Sequence, residues 1–419
     1  MRAMDKVIGY ASIKEELYRI CDILKDYEKY KAFGIDFPKG ILFYGEPGIG
    51  KSLLSECFIE DTGLNNFTIR KTKSDGDFIN YIKNTFDEAK KSAPSIIYID
   101  DMDKFENEDE TRVNGESYIT IQACIDDVKN DKVFVIATAN NLRLLPNSLR
   151  RAGRFDKTIR MNCPKGEDAT KIVEYYLKDK QCANDINAEK IARILSERSC
   201  AVLKQVVNDA AIRAVYANKK RIDMDDILFS CLRIIYHAPE CIESDKYKFI
   251  RNIAYHEAGH AVIQEILVPG SVNLVSVIKN ESRIEGVTSI SGSEYDTQTF
   301  EDLEKRIIAL LGGKAAIELK FGIADIGCEN DLDTATRILR DLVGECGVLG
   351  FSSRIWGNIA SEYAKGNLDS NVSKKMEEYY NIAKRILIEN NDLLEEMTNR
   401  LVDKKIITFK DIEEIKANI

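Results

Sequence analysis

The segment "KGILFYGEPGIGKSLLSECF" constrains this chain more than any other. A short apolar run leads into Gly45-Glu46-Pro47-Gly48-Ile49-Gly50-Lys51-Ser52, and a helical pattern opens at Leu53. The spacing is G-x-x-x-x-G-K-[ST] in the strand–loop–helix setting that the motif requires. Glycines let the backbone wrap closely, so that its N–H groups and the start of the following helix face phosphate oxygens. Lys51 then offsets phosphate charge, and Ser52 offers a hydroxyl to Mg²⁺. A chain with this loop is expected to be α/β around a parallel sheet, with Gly45 to Leu53 holding a nucleotide.

The neighbouring apolar runs fit that expectation. "SIIYI" ends in Asp100-Asp101, where one carboxylate can hold Mg²⁺ and the other can orient an attacking water. "DKVFVIATANN" ends at Asn140, a partner for the terminal phosphate or the water, and "LRRAGRFD" follows with Arg151 and Arg154. Both arginines suit the stabilisation of transferred charge, on a neighbouring subunit if the chain assembles. Upstream, Ser12-Ile13-Lys14-Glu15 reads as a capping box before an amphipathic helix through Ile13, Leu17, Ile20 and Leu24. Patterns from about 165 to 238 are helical throughout. Helical patterns resume after about 245, interrupted by the strand-like "VNLVSVI" and "GVTSI". At 419 residues the chain has room for roughly two or three compact units. Three are expected: a large α/β nucleotide-binding domain over 1–164, a small helical domain over 165–240, and a mainly helical domain over 241–419.

The third domain opens with "AYHEAGHAV", which carries two of the three histidines in the chain. H-E-x-x-H on a helix puts His256 and His260 one turn apart on one face, where both imidazoles can meet one metal ion. Glu257 beside them is placed as general base toward water on that metal. Two histidines leave positions for a further protein ligand and for water. His237 lies upstream, and spacing alone does not select among the many downstream carboxylates.

Bulk properties exclude several classes. A net charge of -9 argues against general affinity for nucleic acid or anionic membrane. The ten cysteines contain no C-x-x-C pair, so they are expected as buried or half-buried thiols in a reducing cytoplasm. With no long apolar run and no signal-peptide pattern, the chain reads as soluble.

The phosphate loop, the Asp100-Asp101 pair, Asn140 and "RRAGRFD", in this order, resemble an AAA+ ATPase module with the helical domain as its lid. That resemblance implies a ring-shaped homo-oligomer, usually hexameric, in which arginines reach the next subunit's nucleotide. "AYHEAGHAV", "RIIALLGGKAAIELKFG", "GCENDLDTATRI" and "GVLGFSS" extend the likeness to the FtsH family of AAA+ zinc metalloproteases over nearly the whole chain. In that family the aspartate of the "ND" pair completes the zinc site. The match falls on Asp331, with Glu329 and Asp333 as weaker candidates. The resemblance implies one Zn²⁺ per subunit, ATP with Mg²⁺, and protein substrates.

Four departures accompany the likeness. Most relatives carry membrane helices before the ATPase, and the given sequence begins almost at that module, so it reads either as a naturally soluble relative or as a fragment of a membrane-associated protein. Asp101 stands where glutamate is usual, one methylene shorter, which predicts slower hydrolysis. Ser74 falls where a substrate-gripping loop carries an aromatic residue, and Phe78, four residues on, substitutes only if the loop is shaped differently. Cys200 replaces the glycine of the lid motif. The leading expectation is an ATP-dependent zinc endopeptidase that threads chains through a ring. One alternative is a zinc peptidase with a weak or regulatory ATPase, and another is a chaperone-like ATPase.

Overall fold

The computed structural model describes residues 2–71, 75–105, 115–151, 153–239, 250–278, 286–290, 299–324, 327–351 and 361–419. Ser74 lies outside the described residues. The chain forms two compact units, Met1–Gln181 with Glu197–Asn208, and Cys182–Ser196 with Asp209–Ile419.

The first unit contains α1 (Ala11–Lys25), α2 (Tyr27–Lys31), β1 (Gly40–Tyr44), α3 (Lys51–Thr62), β2 (Asn65–Ile69), α4 (Asp75–Lys91), β3 (Ser95–Ile99), α5 (Glu116–Asp127), β4 (Val133–Ala139), β5 (Lys157–Arg160) and α6 (Gly166–Leu177). All five strands are parallel, in the order β2-β3-β4-β1-β5. The three central strands, "GILFY", "SIIYI" and "VFVIATA", are buried almost throughout, as strands covered on both faces by helices must be. The edges β2 ("NNFTI") and β5 ("KTIR") are partly exposed and polar. Their composition hides them from a search for apolar runs, which is why the sequence reading passed over them.

Two local expectations are corrected. Helix α1 starts at Ala11 after Tyr10 in a left-handed conformation, without a side-chain cap, so Ser12 lies inside the helix and does not cap it. Phe78 is fully buried, edge-on to Phe105 with ring centres 4.9 Å apart, so it serves the core and is not available to grip a substrate.

The remaining elements are α7 (Ala188–Ile194), α8 (Cys200–Tyr216, whose first half belongs to the first unit), α9 (Met224–Tyr236), α10 (Ile250–Leu267), β6 (Val272–Ser276), β7 (Val287–Ile290), α11 (Phe300–Leu310), α12 (Gly312–Phe321), α13 (Glu329–Gly344), α14 (Glu362–Glu389), α15 (Asn391–Lys404), β8 (Ile406–Thr408) and α16 (Phe409–Asn418). Helix α10 is the centre of the second unit. It buries residues on every side, including Ala254, Ala258, Ala261 and Val262, as a helix enclosed by others does. Helix α12 packs against it so closely that a Cβ on Gly259 would sit 2.5 Å from the Gly312 carbonyl oxygen, and the converse contact is 2.6 Å. The strand-like stretches "VNLVSVI" and "GVTSI" form β6 and β7, which pair antiparallel, and β8 completes the sheet on the other side of β6. Three residues long, β8 offers too little pattern to be read from sequence. Among the described residues no helix is long and apolar enough to cross a membrane.

Candidate functional site

In the α/β unit, the expected nucleotide groups gather at the carboxyl ends of β1, β3 and β4, the rim where open parallel sheets bind ligands. The loop from Gly45 to Gly50 holds its three glycines at positive φ, and Gly50 opens α3 at φ +98 with free space where a side chain would stand. Gly48 also admits the start of α8, since a Cβ there would lie 2.5 Å from the Ala201 methyl. Lys51, 5% exposed, donates from Nζ to the carbonyls of Gly45 and Glu46 and to Asn140 Oδ1, each at 2.8 Å. Burial pulls its ammonium pKa down, against the fields of Asp101, Asp103 and Asp100. These loop glycines and the flanking carbonyl contacts fit a phosphate chain, whose oxygens would replace the carbonyls at Lys51.

Asp100 Oδ1 accepts hydrogen bonds from Tyr98 Oη (2.6 Å), Thr138 Oγ1 (2.9 Å) and Ser52 Oγ (3.2 Å). Burial would raise the Asp100 carboxyl, but Tyr98, Thr138, Arg70 and Ser52 together hold it below the usual carboxylate range. Asp101 sits at φ +50, with Oδ2 on Lys104 Nζ (2.6 Å) and Oδ1 3.5 Å from Asn140 Nδ2. The neighbouring Asp103 buries an Oδ1 without a hydrogen-bond partner. That orphaned acceptor at the same rim is the kind of group a hydrated cation or ordered water satisfies. Asp103 had no signal in sequence beyond its closeness to the acidic pair.

Arg151 and Arg154 are not brought to these groups. Arg151 is exposed, and Arg154 forks onto Asp126 of α5 (Nε–Oδ1 3.1 Å, Nη2–Oδ2 2.7 Å) while Nη1 donates to the Ser148 carbonyl at 2.6 Å. Cys200 starts α8 with its thiol 3.8 Å from the Ile49 carbonyl, a weak contact on the back of the phosphate loop. Leu53, the last of the expected nucleotide residues, is half exposed on α3.

The second constellation lies in the helical unit. On α10, one turn brings His256 Nε2 to 3.0 Å from His260 Nε2. Asp331, in the first turn of α13, sets Oδ2 at 3.3 Å from the first and 3.2 Å from the second. Among the described residues these three form the one such group of metal-ligating side chains. Glu329 and Asp333, two residues either side on the same helix, project elsewhere and are exposed. A tetrahedral zinc with bonds of about 2.0–2.1 Å has ligand-to-ligand edges of about 3.3 Å, so the three atoms already match one face of that tetrahedron. The Ala309 carbonyl accepts from His260 Nδ1 at 2.8 Å, which leaves the Nε2 lone pair toward the shared point. Burial alone would raise the Asp331 carboxyl; the closeness of His256 and His260 outweighs it and holds Asp331 far below the usual carboxylate range.

Glu257 is 6% exposed, and its Oε2 accepts from Thr288 Oγ1 of β7 at 2.7 Å. Burial pushes its carboxyl up, against the pull of His256 and His260, a shift that suits a group meant to take a proton. Three supporting residues escaped the sequence reading. A Cβ on Gly286 would lie 2.5 Å from Glu257 Oε1, and one on Gly313 would lie 2.5–2.6 Å from the His256 ring, so only glycine lets these backbones close over the pair. Thr288 is the third. The glycines in "RIEGV" and "LLGGK" were visible, but nothing local says which side chain they face.

Fold and sites together define an ATPase module joined to a metallopeptidase. Residues 41–163 match the family of ATPases associated with various cellular activities (AAA), and residues 243–415 match peptidase family M41. The ATP-dependent zinc metalloprotease FtsH 2 of Thermoanaerobacter sp. (strain X514) is 31% identical over 97% of this chain and 81% of its own length. The protein named ATP-dependent zinc metalloprotease FtsH from Chloroflexus aggregans is 29% identical over 98% of this chain and 67% of its own. That from the Aster yellows witches'-broom phytoplasma is 30% identical over 98% and 63%. The chain belongs to the FtsH family of ATP-dependent zinc metalloproteases.

Proposed function

We propose that this chain hydrolyses peptide bonds of protein substrates at His256, His260, Asp331 and Glu257, with ATP hydrolysis in the α/β unit delivering the substrate. The observation that carries the reading is the set of three ligand atoms 3.0–3.3 Å apart beside a buried, threonine-held glutamate. Bound zinc supplies the Lewis acidity that makes water a nucleophile near neutral pH and polarises the substrate carbonyl. His256, His260 and Asp331 hold it, and Ala309 keeps His260 in the ligating tautomer. Glu257 accepts the proton of the attacking water and returns it to the leaving amine, while Thr288 keeps its carboxylate oriented.

For the motor, the backbone from Gly45 to Ser52 cradles ATP phosphates, and Lys51 exchanges its loop carbonyls for phosphate oxygens. Asp100 and Ser52 serve Mg²⁺, Asp101 orients the attacking water, and Asn140 bonds the water or the terminal phosphate. Arg151 and Arg154 act across a subunit boundary of a hexameric ring, which requires Arg154 to leave Asp126. Residues 165–240 act as the lid of the nucleotide-binding domain over 1–164, and residues 241–419 form the peptidase domain. None of the nine described cysteines forms a disulfide, which suits a reducing, cytoplasmic setting.

The test is degradation of an unfolded model protein by the zinc-loaded enzyme with ATP, with ADP and without nucleotide. Cleavage that needs ATP is expected. Equal cleavage in all three would replace threading by a peptidase with a regulatory ATPase, and its absence in all three would remove the peptidase reading.

A further inference from the structure

Asp100 has only one carboxylate oxygen to offer a cation, and this chain covers it. Oδ1 is saturated by Tyr98, Thr138 and Ser52, while Oδ2 lies 3.0 Å from Arg70 Nε. Arg70 directly follows β2, the strand that neighbours β3 in register from Asn65↔Ser95 to Ile69↔Ile99, so its position beside Asp100 is built by the sheet. The Asp100 side chain is 13% exposed and the Arg70 side chain 54%. The acid is therefore fixed in the floor of the site, and the base reaches it from solvent.

Arg70 also has somewhere else to go. Glu56 Oε1, on α3, lies 3.9 Å from Arg70 Nη2. Both line a solvent-open recess of about 650 Å³ with Ile59, Leu64, Thr68 and Tyr98. A half-exposed arginine loses little on exchanging one carboxylate for another across such a recess. A divalent cation at Oδ2 and a guanidinium on the same atom repel each other, so one must yield.

We propose that Arg70 is a built-in counter-ion of Asp100 that competes with the nucleotide's Mg²⁺ and moves toward Glu56 when the cation binds. It is a positioning residue, and it raises the Mg²⁺ concentration that this chain needs to bind MgATP. The inference rests on the nucleotide-site reading given above, and it concerns a residue that the sequence analysis did not single out.

The experiment titrates Mg²⁺ against binding of a fluorescent ATP analogue, with parallel thermal melts, for the full chain and the variants Arg70→Ala, Arg70→Gln and Arg70→Lys. Removing the charge in Arg70→Ala or Arg70→Gln is expected to lower the half-saturating Mg²⁺ by about 3–10-fold, as loss of one nearby like charge does. Arg70→Lys keeps the charge and stays close to the parent. The melting temperature of Arg70→Ala should drop without Mg²⁺ and recover with MgATP, because the cation replaces the guanidinium. A merely structural arginine would lower both melts equally. If the parent binds the analogue and none of the neutral variants changes its Mg²⁺ requirement, the proposal alone falls. If the parent binds no nucleotide at any Mg²⁺ concentration, the nucleotide-site reading falls and takes the proposal with it. Arg70→Gln preserves the side chain's bulk and a donor, so the comparison survives a failure of Arg70→Ala to fold.

Discussion

At the peptidase constellation the reactive groups stand ready, whereas at the nucleotide constellation they are tied to one another. His256, His260 and Asp331 bring their ligand atoms within 3.0–3.3 Å of one another, with His260 held from behind by the Ala309 carbonyl and His256 lying against the backbone at Gly313. Lys51 instead donates to its own loop, Asp100 pairs with Arg70, Asp101 with Lys104, and Arg154 with Asp126. The difference follows from charge. The metal constellation holds two imidazoles and one carboxylate, whereas the nucleotide rim holds full charges of both signs, which pair with one another until phosphate and cation displace them. One site is preorganised, and the other has to exchange partners to act.

The strongest way to break this contrast is Glu257→Gln. Peptide cleavage is expected to fall by about 10²–10⁴-fold, as loss of a general base does, with ATP hydrolysis retained. A parallel collapse of ATP hydrolysis would show that the two sites are not separable. Next in size is Lys51→Ala, which should weaken ATP-analogue binding by about 10–100-fold, the worth of charged hydrogen bonds to phosphate. Cleavage of a short, flexible peptide should survive this change; its loss would mean that the peptidase site depends on the nucleotide state for its geometry.

Gly313→Ala sharpens the claim of preorganisation. Its methyl would displace the His256 ring, and zinc affinity measured against a competing chelator should fall about 10–100-fold, as for other residues that orient metal ligands. Unchanged affinity would mean that the ring finds its position without that backbone contact.

The smallest effect concerns the helix that carries Gly313. Glu318 pairs with Lys314 one turn away on α12 and ties that helix to α14 through Tyr380 and Lys384, the last at 3.2 Å. Burial would raise its carboxyl, but these three partners hold it down at about 2. A depressed folded pKa gives stability that is present above the unfolded value and lost as pH falls through the folded one. Here the window runs from about 4.5 down to about 2. Glu318→Gln should therefore cost about 1–2 kcal/mol at neutral pH after solvent screening, read by denaturant melts, and flatten the acid limb of the stability curve. An unaltered acid limb would mean that other carboxylates set it.

Much of this protein was legible in its sequence because the decisive patterns are short. The phosphate loop needs eight consecutive residues, and the histidine pair needs one helical turn. The central strands are runs of apolar residues that have no other use in a sheet buried on both faces. The edge strands Asn65–Ile69 and Lys157–Arg160 were not legible, since they are half exposed and carry no such pattern. Residue spacing left the third metal ligand open among the downstream carboxylates, and family likeness pointed to Asp331.

By itself the sequence determined that the chain holds an α/β nucleotide unit followed by a helical metallopeptidase unit, because both signatures are local in the chain. Only the tertiary structure decided which carboxylate of Glu329, Asp331 and Asp333 faces the histidines, that Gly286 and Gly313 are the gaps through which backbone closes on Glu257 and His256, and that Arg70 covers Asp100. These are contacts between residues far apart in the chain or on opposite faces of one helix. They depend on packing and strand register, which no short stretch of sequence specifies.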